Sequence, residues 1–398
     1  MLRVSGTAAA ESEQKRKYPN SLGHMAENCT ECGACVSDCR FLQKYGTPKN
    51  LSLMFDPEDR ELQSIPFECS LCGLCSAVCP EKLRPDAMFQ EMRHFLMQHG
   101  VVDLNAYAGL LAYERRGTSR RYTWYGMPAG CDTVFFPGCA LPGTRPEQTK
   151  KLFTMLCGAI PNLGIVLDCC TKPSLSLGRQ QYFETMFGEL KTYLVENGIR
   201  TVLAACPNCY KVFSEHAPEL TVRSVYEILS EADIFARGAE KLAGTVTIHD
   251  PCVSRFSGSL QKAARALVAG TGLAIQEMQS SGRFTVCCGE GGAVGCLNPD
   301  LAGEWTSKRA NESAGRTVVT YCAGCTHYLS ARMTASHVVD LLFDPHAALS
   351  GRARVSRAPM TYINRLRLKW YFRKKMEAAI SRERKSAAGN NFDKEGTT

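Results

Sequence analysis

Eight of the twenty-one cysteines fall into one spacing that the chain writes twice. Cys29, Cys32, Cys35 and Cys39 read C-x2-C-x2-C-x3-C. Cys69, Cys72, Cys75 and Cys79 repeat it, ending in Pro80 where the first copy has Arg40. Three thiolates on one tight loop, with a fourth a helical step away, suit a corner-sharing cube of iron and sulfide. Two other readings fare worse. Disulfides need an oxidising compartment, and residues 1–20 are polar, with Glu11, Glu13, Lys15, Arg16 and Lys17 and no apolar h-region. Zinc usually takes paired C-x2-C units across a spacer, not three cysteines at i, i+3 and i+6.

The doubled spacing resembles that of two-cluster bacterial ferredoxins, in which each fourth cysteine serves the other cluster. The resemblance implies one [4Fe-4S] cubane on Cys29, Cys32, Cys35 and Cys79, and a second on Cys69, Cys72, Cys75 and Cys39. Such a unit moves electrons.

At 398 residues the chain is long enough for two or three domains, since roughly 100–200 residues make one. No window approaches the roughly 20 apolar residues of a membrane helix. Cysteine at 21 of 398 is high for the cytosolic protein expected here, and metal binding is the economical explanation. The net charge of +8 is uneven: residues 352–385 hold twelve Lys/Arg against Glu377 and Glu383, a balance of +10, which leaves −2 for the rest. The basic character belongs to the tail. Nucleic-acid binding is not expected, because no recognition module accompanies that charge.

The predicted organisation is a disordered arm (1–22), an α-rich ferredoxin-like domain (23–100), a linker (101–130) around Arg115–Arg121, and two cysteine-rich halves (131–240 and 241–350). A basic C-terminal tail follows (351–398), disordered from residue 386. Met88, Met92, Phe95 and Leu96, at helical spacing, predict a helix bracing the ferredoxin-like unit. From Cys131 onward the chain is an internal duplication. Strand-like runs at 133–136, 164–167 and 201–205 lead to Cys139, the pair Cys169-Cys170, and Cys206-x2-Cys209. Runs at 245–248, 284–286 and 317–320 lead to Cys252, the pair Cys287-Cys288, and Cys322-x2-Cys325. Helical stretches separate these runs. The fold class is therefore α/β, with mostly parallel strands carrying cysteines at their carboxyl ends.

Each half contributes five cysteines in one order, separated by 30, 36 and 3 residues in the first and 35, 34 and 3 in the second. Core packing has no preferred cysteine spacing. Adjacent thiolates cannot easily chelate one metal, but they can bridge metals in an irregular cluster, and five ligands exceed what one cubane needs. The layout resembles the cysteine-rich (CCG) family, whose best-known member is heterodisulfide reductase. The order of parts is similar to that enzyme's fused, D-type catalytic chain and to iron–sulfur subunits of glycerol-3-phosphate, glycolate and lactate dehydrogenases. The resemblance implies one or two further [4Fe-4S] clusters of noncubane type, where a disulfide is split. One would sit on Cys139, Cys169, Cys170, Cys206 and Cys209, the other on Cys252, Cys287, Cys288, Cys322 and Cys325; these are the candidate catalytic cysteines. One departure stands out. The second half has the family's Cys287-Cys288-Gly289, but the first has Cys169-Cys170-Thr171, where glycine would permit a positive φ.

Other features are read as structural. Residues 289–295 (GEGGAVG) wrap a cluster rather than bind a dinucleotide, since Val294 takes the last glycine position. Cys131, Cys157 and Cys296 break the repeat and are packed or incidental. His249 and His327 flank ligand positions; His327 could donate a proton to a departing thiolate, but a hydrogen-bonded structural histidine is expected there, and Asp250 sets a turn.

The expected function is an iron–sulfur oxidoreductase subunit that passes electrons from the cubanes to the CCG clusters, which reduce a disulfide. The alternative is a relay subunit of a flavin-dependent glycolate, lactate or glycerol-3-phosphate dehydrogenase feeding quinone. A structural iron–sulfur scaffold would need only one cluster site. The expected partner is a flavoprotein or b-type cytochrome subunit, and the expected location the cytoplasm. There the apolar and basic residues of 360–380 form a surface helix suited to the inner face of the membrane or to an acidic partner.

Overall fold

The computed structural model describes residues 19–232 and 241–385. The expected arm therefore lies mostly outside the described residues, as do residues 386–398. A helix already begins at Asn20.

The ferredoxin-like part is a cage of short helices: Asn20–Asn28, Arg40–Tyr45, Pro48–Met54, Arg60–Ser64, Leu74–Val78 and the longer Pro85–Gln98. Local chemistry sets their starts. Thr47 accepts a hydrogen bond from the Asn50 amide at 3.2 Å with Pro48 at the first turn, and Asp59 accepts from the Glu61 amide at 2.8 Å. The predicted brace is the helix Pro85–Gln98. It buries Met88, Phe89, Met92 and Leu96, while Phe95 is half-buried and meets Phe55 edge-on at 6.0 Å.

Among the described residues, the rest is built on ten strands. The first sheet holds β1 (Trp124–Met127), β2 (Thr133–Phe136), β3 (Gly164–Leu167), β4 (Thr201–Ala204) and β5 (Thr221–Ser224). The second holds β6 (Thr245–His249), β7 (Ala274–Ile275), β8 (Val318–Thr320) and β9 (Ala335–His337), and β10 (Ile380–Arg382) returns to the first. The orders are β10-β1-β3-β2-β4-β5 and β7-β6-β8-β9. The duplication is thus structural. The parallel set β3-β2-β4-β5 matches the parallel set β7-β6-β8-β9 strand for strand. Both sheets share one apolar core, in which Phe135 and Leu203 of the first join Val246, Ile248 and Val319 of the second. Each such buried side chain contributes roughly 1.5–3 kcal/mol of burial free energy.

Three stretches differ from the sequence reading. Residues 101–130, expected as a linker, contain the helix Ala108–Gly117 and strand β1, which lies antiparallel to β3. Residues 284–286 form no strand: a single 3-10 turn, Gly282–Phe284, feeds the cysteine pair, and β7 takes the matching place in the sheet. The expected tail is integral to the fold up to residue 385. Its helix Met360–Lys375 buries Leu368 and Phe372, and β10 pairs antiparallel with β1. Packing decided all three cases, because strands of two to four residues carry little periodicity of their own.

Candidate functional site

The two ferredoxin-like loops share a backbone device. Glu31 and Gly33 after the first cysteine of one motif, and Leu71 and Gly73 in the other, all have positive φ (53°, 77°, 49° and 71°). Left-handed residues at matching positions curl the loop and turn backbone N–H groups inward, a concavity suited to an anionic cluster. The hollows draw on both motifs, in the crossed pattern of a two-cluster ferredoxin. Cys79 lines one hollow with Cys29, Cys32 and Cys35, Cys39 lines another with Cys69 and Cys72, and Cys75 borders both. Burial, and then the neighbouring thiols Cys29, Cys32 and Cys79, push Cys35 up to about 11. Burial, then Cys72 and Cys69, push Cys39 well above the ordinary thiol range. Thiolates gathered this way repel one another unless cations sit between them.

In the cysteine-rich halves the strand ends deliver the donors. β2 and β6 lead to Cys139 and Cys252, while β4 and β8 lead to Cys206 and Cys322, each the N-cap of the helix that carries the next cysteine of its C-x2-C. Sulfurs converge in both halves: Cys170 and Cys209 at 3.3 Å and Cys139 and Cys169 at 4.0 Å in the first, Cys288 and Cys325 at 3.3 Å in the second. Cys252 is within hydrogen-bonding reach of Cys287. The loop after each pair turns through a left-handed residue. Gly289 has φ 107°, and a Cβ there would meet the Ala302 carbonyl at 2.7 Å. Thr171 accepts φ 53° in the same place, with its buried hydroxyl unpartnered.

The sites abut in series. Cys72 of the second ferredoxin-like hollow feels the charge of Cys287, and Cys252 feels that of Cys72. Across the seam between the halves, Cys206 and Cys322 are within hydrogen-bonding reach. The loop 289–295 packs against the ferredoxin-like unit: added Cβ atoms at Gly291 and Gly292 would meet the Ser70 and Cys69 carbonyls at 2.5 and 2.3 Å.

Charged groups that motif reading missed frame the sites. Arg255, 3% exposed, donates to the carbonyls of Cys72 at 3.1 Å, Thr285 at 2.6 Å, and Arg283. Arg365, from the C-terminal helix, stacks over Tyr113 and Tyr122 and lies near Cys139 and Cys169. Lys172 and Glu290 occupy the same place in the repeat, two residues after each cysteine pair. Burial pulls the lysine down to about 8 and pushes the glutamate up to about 8. Extending the repeat alignment past the cysteines would have flagged that pair. The two histidines part ways: His327 is exposed, whereas His249 is fully buried and neither of its ring nitrogens has a partner among the described residues. Burial drives its imidazole down to about 3. Asp250 does more than set a turn: it accepts from both terminal nitrogens of Arg265, from the Gly282 amide and from the Tyr321 hydroxyl. Cys131 is half-buried with its Sγ donating to the Thr133 carbonyl, while Cys157 and Cys296 are exposed.

The donor set fits iron–sulfur clusters. Every cysteine is a free thiol, eighteen of them converge in groups at loop and strand ends, and soft sulfur donors select iron–sulfur chemistry. Comparison with known proteins agrees. Residues 25–83 match the 4Fe-4S dicluster domain, and residues 133–214 and 246–330 each match the cysteine-rich domain. The chain is 25% identical over 350 residues to a subunit of the fumarate reductase (CoM/CoB) of Methanothermobacter marburgensis, covering 79% of this chain and 69% of that protein. It is 24% identical over 330 residues to a subunit of the dihydromethanophenazine:CoB–CoM heterodisulfide reductase of Methanosarcina mazei, covering 69% and 80%. A more distant likeness, 21% over 281 residues, is to the EtfAB:quinone oxidoreductase of Syntrophomonas wolfei, covering 62% of this chain and 38% of that protein. With its doubled ferredoxin-type motif and duplicated five-cysteine sheet, the chain joins a 4Fe-4S dicluster domain to two cysteine-rich (CCG) domains and is homologous to the D-type chain of heterodisulfide reductase.

Proposed function

We propose that this chain is the iron–sulfur subunit of a multi-subunit oxidoreductase in which two ferredoxin-type cubanes feed two CCG clusters that reduce a disulfide. Cys29, Cys32, Cys35 and Cys79 would hold the first cubane, and Cys69, Cys72, Cys75 and Cys39 the second. The five cysteines of each half would hold a noncubane cluster. The supporting observation is the unbroken series of sulfur sites, from Cys72 to Cys252 and Cys287, and from Cys322 to Cys206. Bound clusters would supply two electrons, one at a time, for RS–SR′ + 2 e− + 2 H+ → RSH + R′SH, the S–S bond breaking.

The residues of the chain set the rest. Cys139, Cys206 and Cys252 are only half-buried, so the seam between the halves is where a substrate sulfur could approach. Lys172 and Glu290 face that seam from opposite loops: the lysine's charge reaches Cys252, and the glutamate's reaches Cys206 and Cys139. One can take an anionic group of the substrate, the other a cationic or hydroxyl group. The electron donor would be a flavoprotein or b-type cytochrome subunit. The helix Met360–Lys375 presents Ile363 and Trp370 beside Arg367 and Lys374, a face suited to that partner or to the membrane surface. No helix among the described residues is long and apolar enough to cross a membrane.

Anaerobic EPR with iron analysis tests the reading. A paramagnetic signal that depends on added thiol, distinct from reduced cubanes and accompanied by well over eight irons per chain, is expected. Cubane signals alone, with about eight irons (two cubanes' worth), would favour a relay between a flavoprotein and quinone. The likeness to the EtfAB:quinone oxidoreductase supports that second reading.

A further inference from the structure

The second cysteine-rich half contains an imidazole with nothing to bind. His249 ends β6, is 0% exposed, and has no hydrogen-bond partner at Nδ1 or Nε2. One ring nitrogen lies with the sulfurs of Cys288 and Cys325 so that all three atoms are within 4.8 Å of one another. A neutral imidazole always carries one N–H donor. Burying that donor without an acceptor is unfavourable, so the native site must offer it one.

The duplication isolates this position. His249-Asp250-Pro251-Cys252 in the second half stands where the first has Phe136-Pro137-Gly138-Cys139, at the ends of the matching strands β6 and β2. Phe136 is equally buried and packs edge-on against Phe213 at 5.0 Å. The first half shows that an apolar ring suffices for packing there. A histidine in the equivalent place answers to something only the second site has.

We propose that His249 is a positioning residue for the second CCG cluster: its ring N–H donates to a thiolate or sulfide sulfur of that cluster and raises the cluster's reduction potential. This rests on reading Cys252, Cys287, Cys288, Cys322 and Cys325 as a cluster site. Five cysteines already surround the site, so iron needs no nitrogen ligand, and the ring is left for hydrogen bonding. Donors to cluster sulfur favour the more negative, reduced state, and such bonds are among the main determinants of cluster potential. The location gives this tuning a purpose. The second site is the one beside Cys72, so a raised potential there draws electrons off the ferredoxin-type pair.

The test uses holo-protein labelled with 15N-histidine, with pulsed EPR on the second cluster in its paramagnetic state and a redox titration of the same signal. The expected result is a weak 15N coupling that disappears in His249→Phe, with a fall in that cluster's potential and unchanged iron content. His249→Gln, which keeps an N–H donor, should recover part of the potential. A coupling strong enough for a direct iron–nitrogen bond would overturn the proposal, as would an unchanged potential in His249→Phe. Should that variant fail to assemble, the wild-type coupling and the His249→Gln potential decide. Wild-type protein with only two cubanes' worth of iron refutes instead the cluster reading of the second half, a failure distinct from a present cluster that ignores His249.

Discussion

Arg384 donates from Nε to Asp168 at 2.8 Å, and both side chains are almost wholly buried, at 1% and 0% exposure. Asp168 immediately precedes the first cysteine pair, and its other oxygen accepts from the Cys169 amide at 2.7 Å. The C-terminal segment therefore holds the first CCG loop in place from across the sheet. Tyr125 of β1 donates to the same carboxylate, and the Arg384 amide donates to Thr123.

Removing one member of this pair leaves a buried, uncompensated charge. Arg384→Ala is expected to cost about 3–5 kcal/mol of stability, the usual penalty for breaking a buried ion pair. It should also release iron from the first half before the second. Thermal unfolding followed in parallel with iron content checks this. Arg384→Lys should fall between wild type and alanine, because a point charge cannot reproduce the bonds from Nε to Asp168 and from Nη1 to Glu189.

Arg93 ties all three cysteine units together. Fully buried in the helix Pro85–Gln98, it donates to the carbonyls of Pro66 at 2.9 Å and Cys69 at 2.6 Å, to Ser176 of the first half at 2.8 Å and to Gly292 of the second at 2.9 Å. Charge-assisted bonds are worth about 1.5–3 kcal/mol each, so Arg93→Met should loosen the docking as well as lower stability. Limited proteolysis should then cut between residues 97 and 107, where the wild type resists. Electron transfer out of the ferredoxin-type unit should slow even if each cluster still assembles.

Much of this fold was legible because its signals are local. β-branched runs such as Thr133–Phe136 and Gly164–Leu167 emerge as strands within the predicted limits, and the cysteine repeat marks their carboxyl ends. The clamps were not legible. Arg93 finds Gly292 across 199 residues and Arg384 finds Asp168 across 216, pairings that only the assembled fold creates. The same blindness makes the C-terminal segment read as a basic tail with a surface helix: composition counts its charges but not their partners, and Arg365, Lys369 and Arg384 are buried. His249 reads in the sequence only as a neighbour of a ligand position for the opposite reason, since its unusual property is a missing bond.

The crossed arrangement of the two ferredoxin-type motifs makes a sharp prediction. Cys79→Ser should disturb the cubane of Cys29, Cys32 and Cys35, although residue 79 belongs to the other motif. Cys39→Ser should disturb the cubane of Cys69, Cys72 and Cys75. EPR of each variant should show one cubane signal altered and the other intact. Uncrossed ligation would give the opposite assignment. The second cubane borders Cys252 and Cys287, so Cys39→Ser is also expected to cut reduction of the CCG clusters more severely than Cys79→Ser.

The two halves solve one backbone problem with different residues, and exchanging them should have opposite effects. Thr171 holds a β-branched side chain at φ 53° with its hydroxyl buried and unpartnered. Left-handed backbone costs such a residue about 1–2 kcal/mol. Glycine removes that cost but adds roughly 0.5–1 kcal/mol of unfolded-state entropy. Thr171→Gly is therefore expected to be neutral to stabilising by about 1 kcal/mol, a balance of those two terms. At Gly289 the space is absent as well. An added Cβ would meet the Ala302 carbonyl at 2.7 Å, the Thr306 hydroxyl at 2.8 Å and the Tyr328 ring at 3.0 Å. Gly289→Ala should cost about 3 kcal/mol or more by overpacking and left-handed strain together, and the shift of the loop should displace Cys288 from Cys325. Denaturant unfolding of both variants, with iron analysis of Gly289→Ala, measures the contrast. Equal destabilisation by the two exchanges would mean that the loops are not equivalent in fold and that Thr171 is held by contacts of its own.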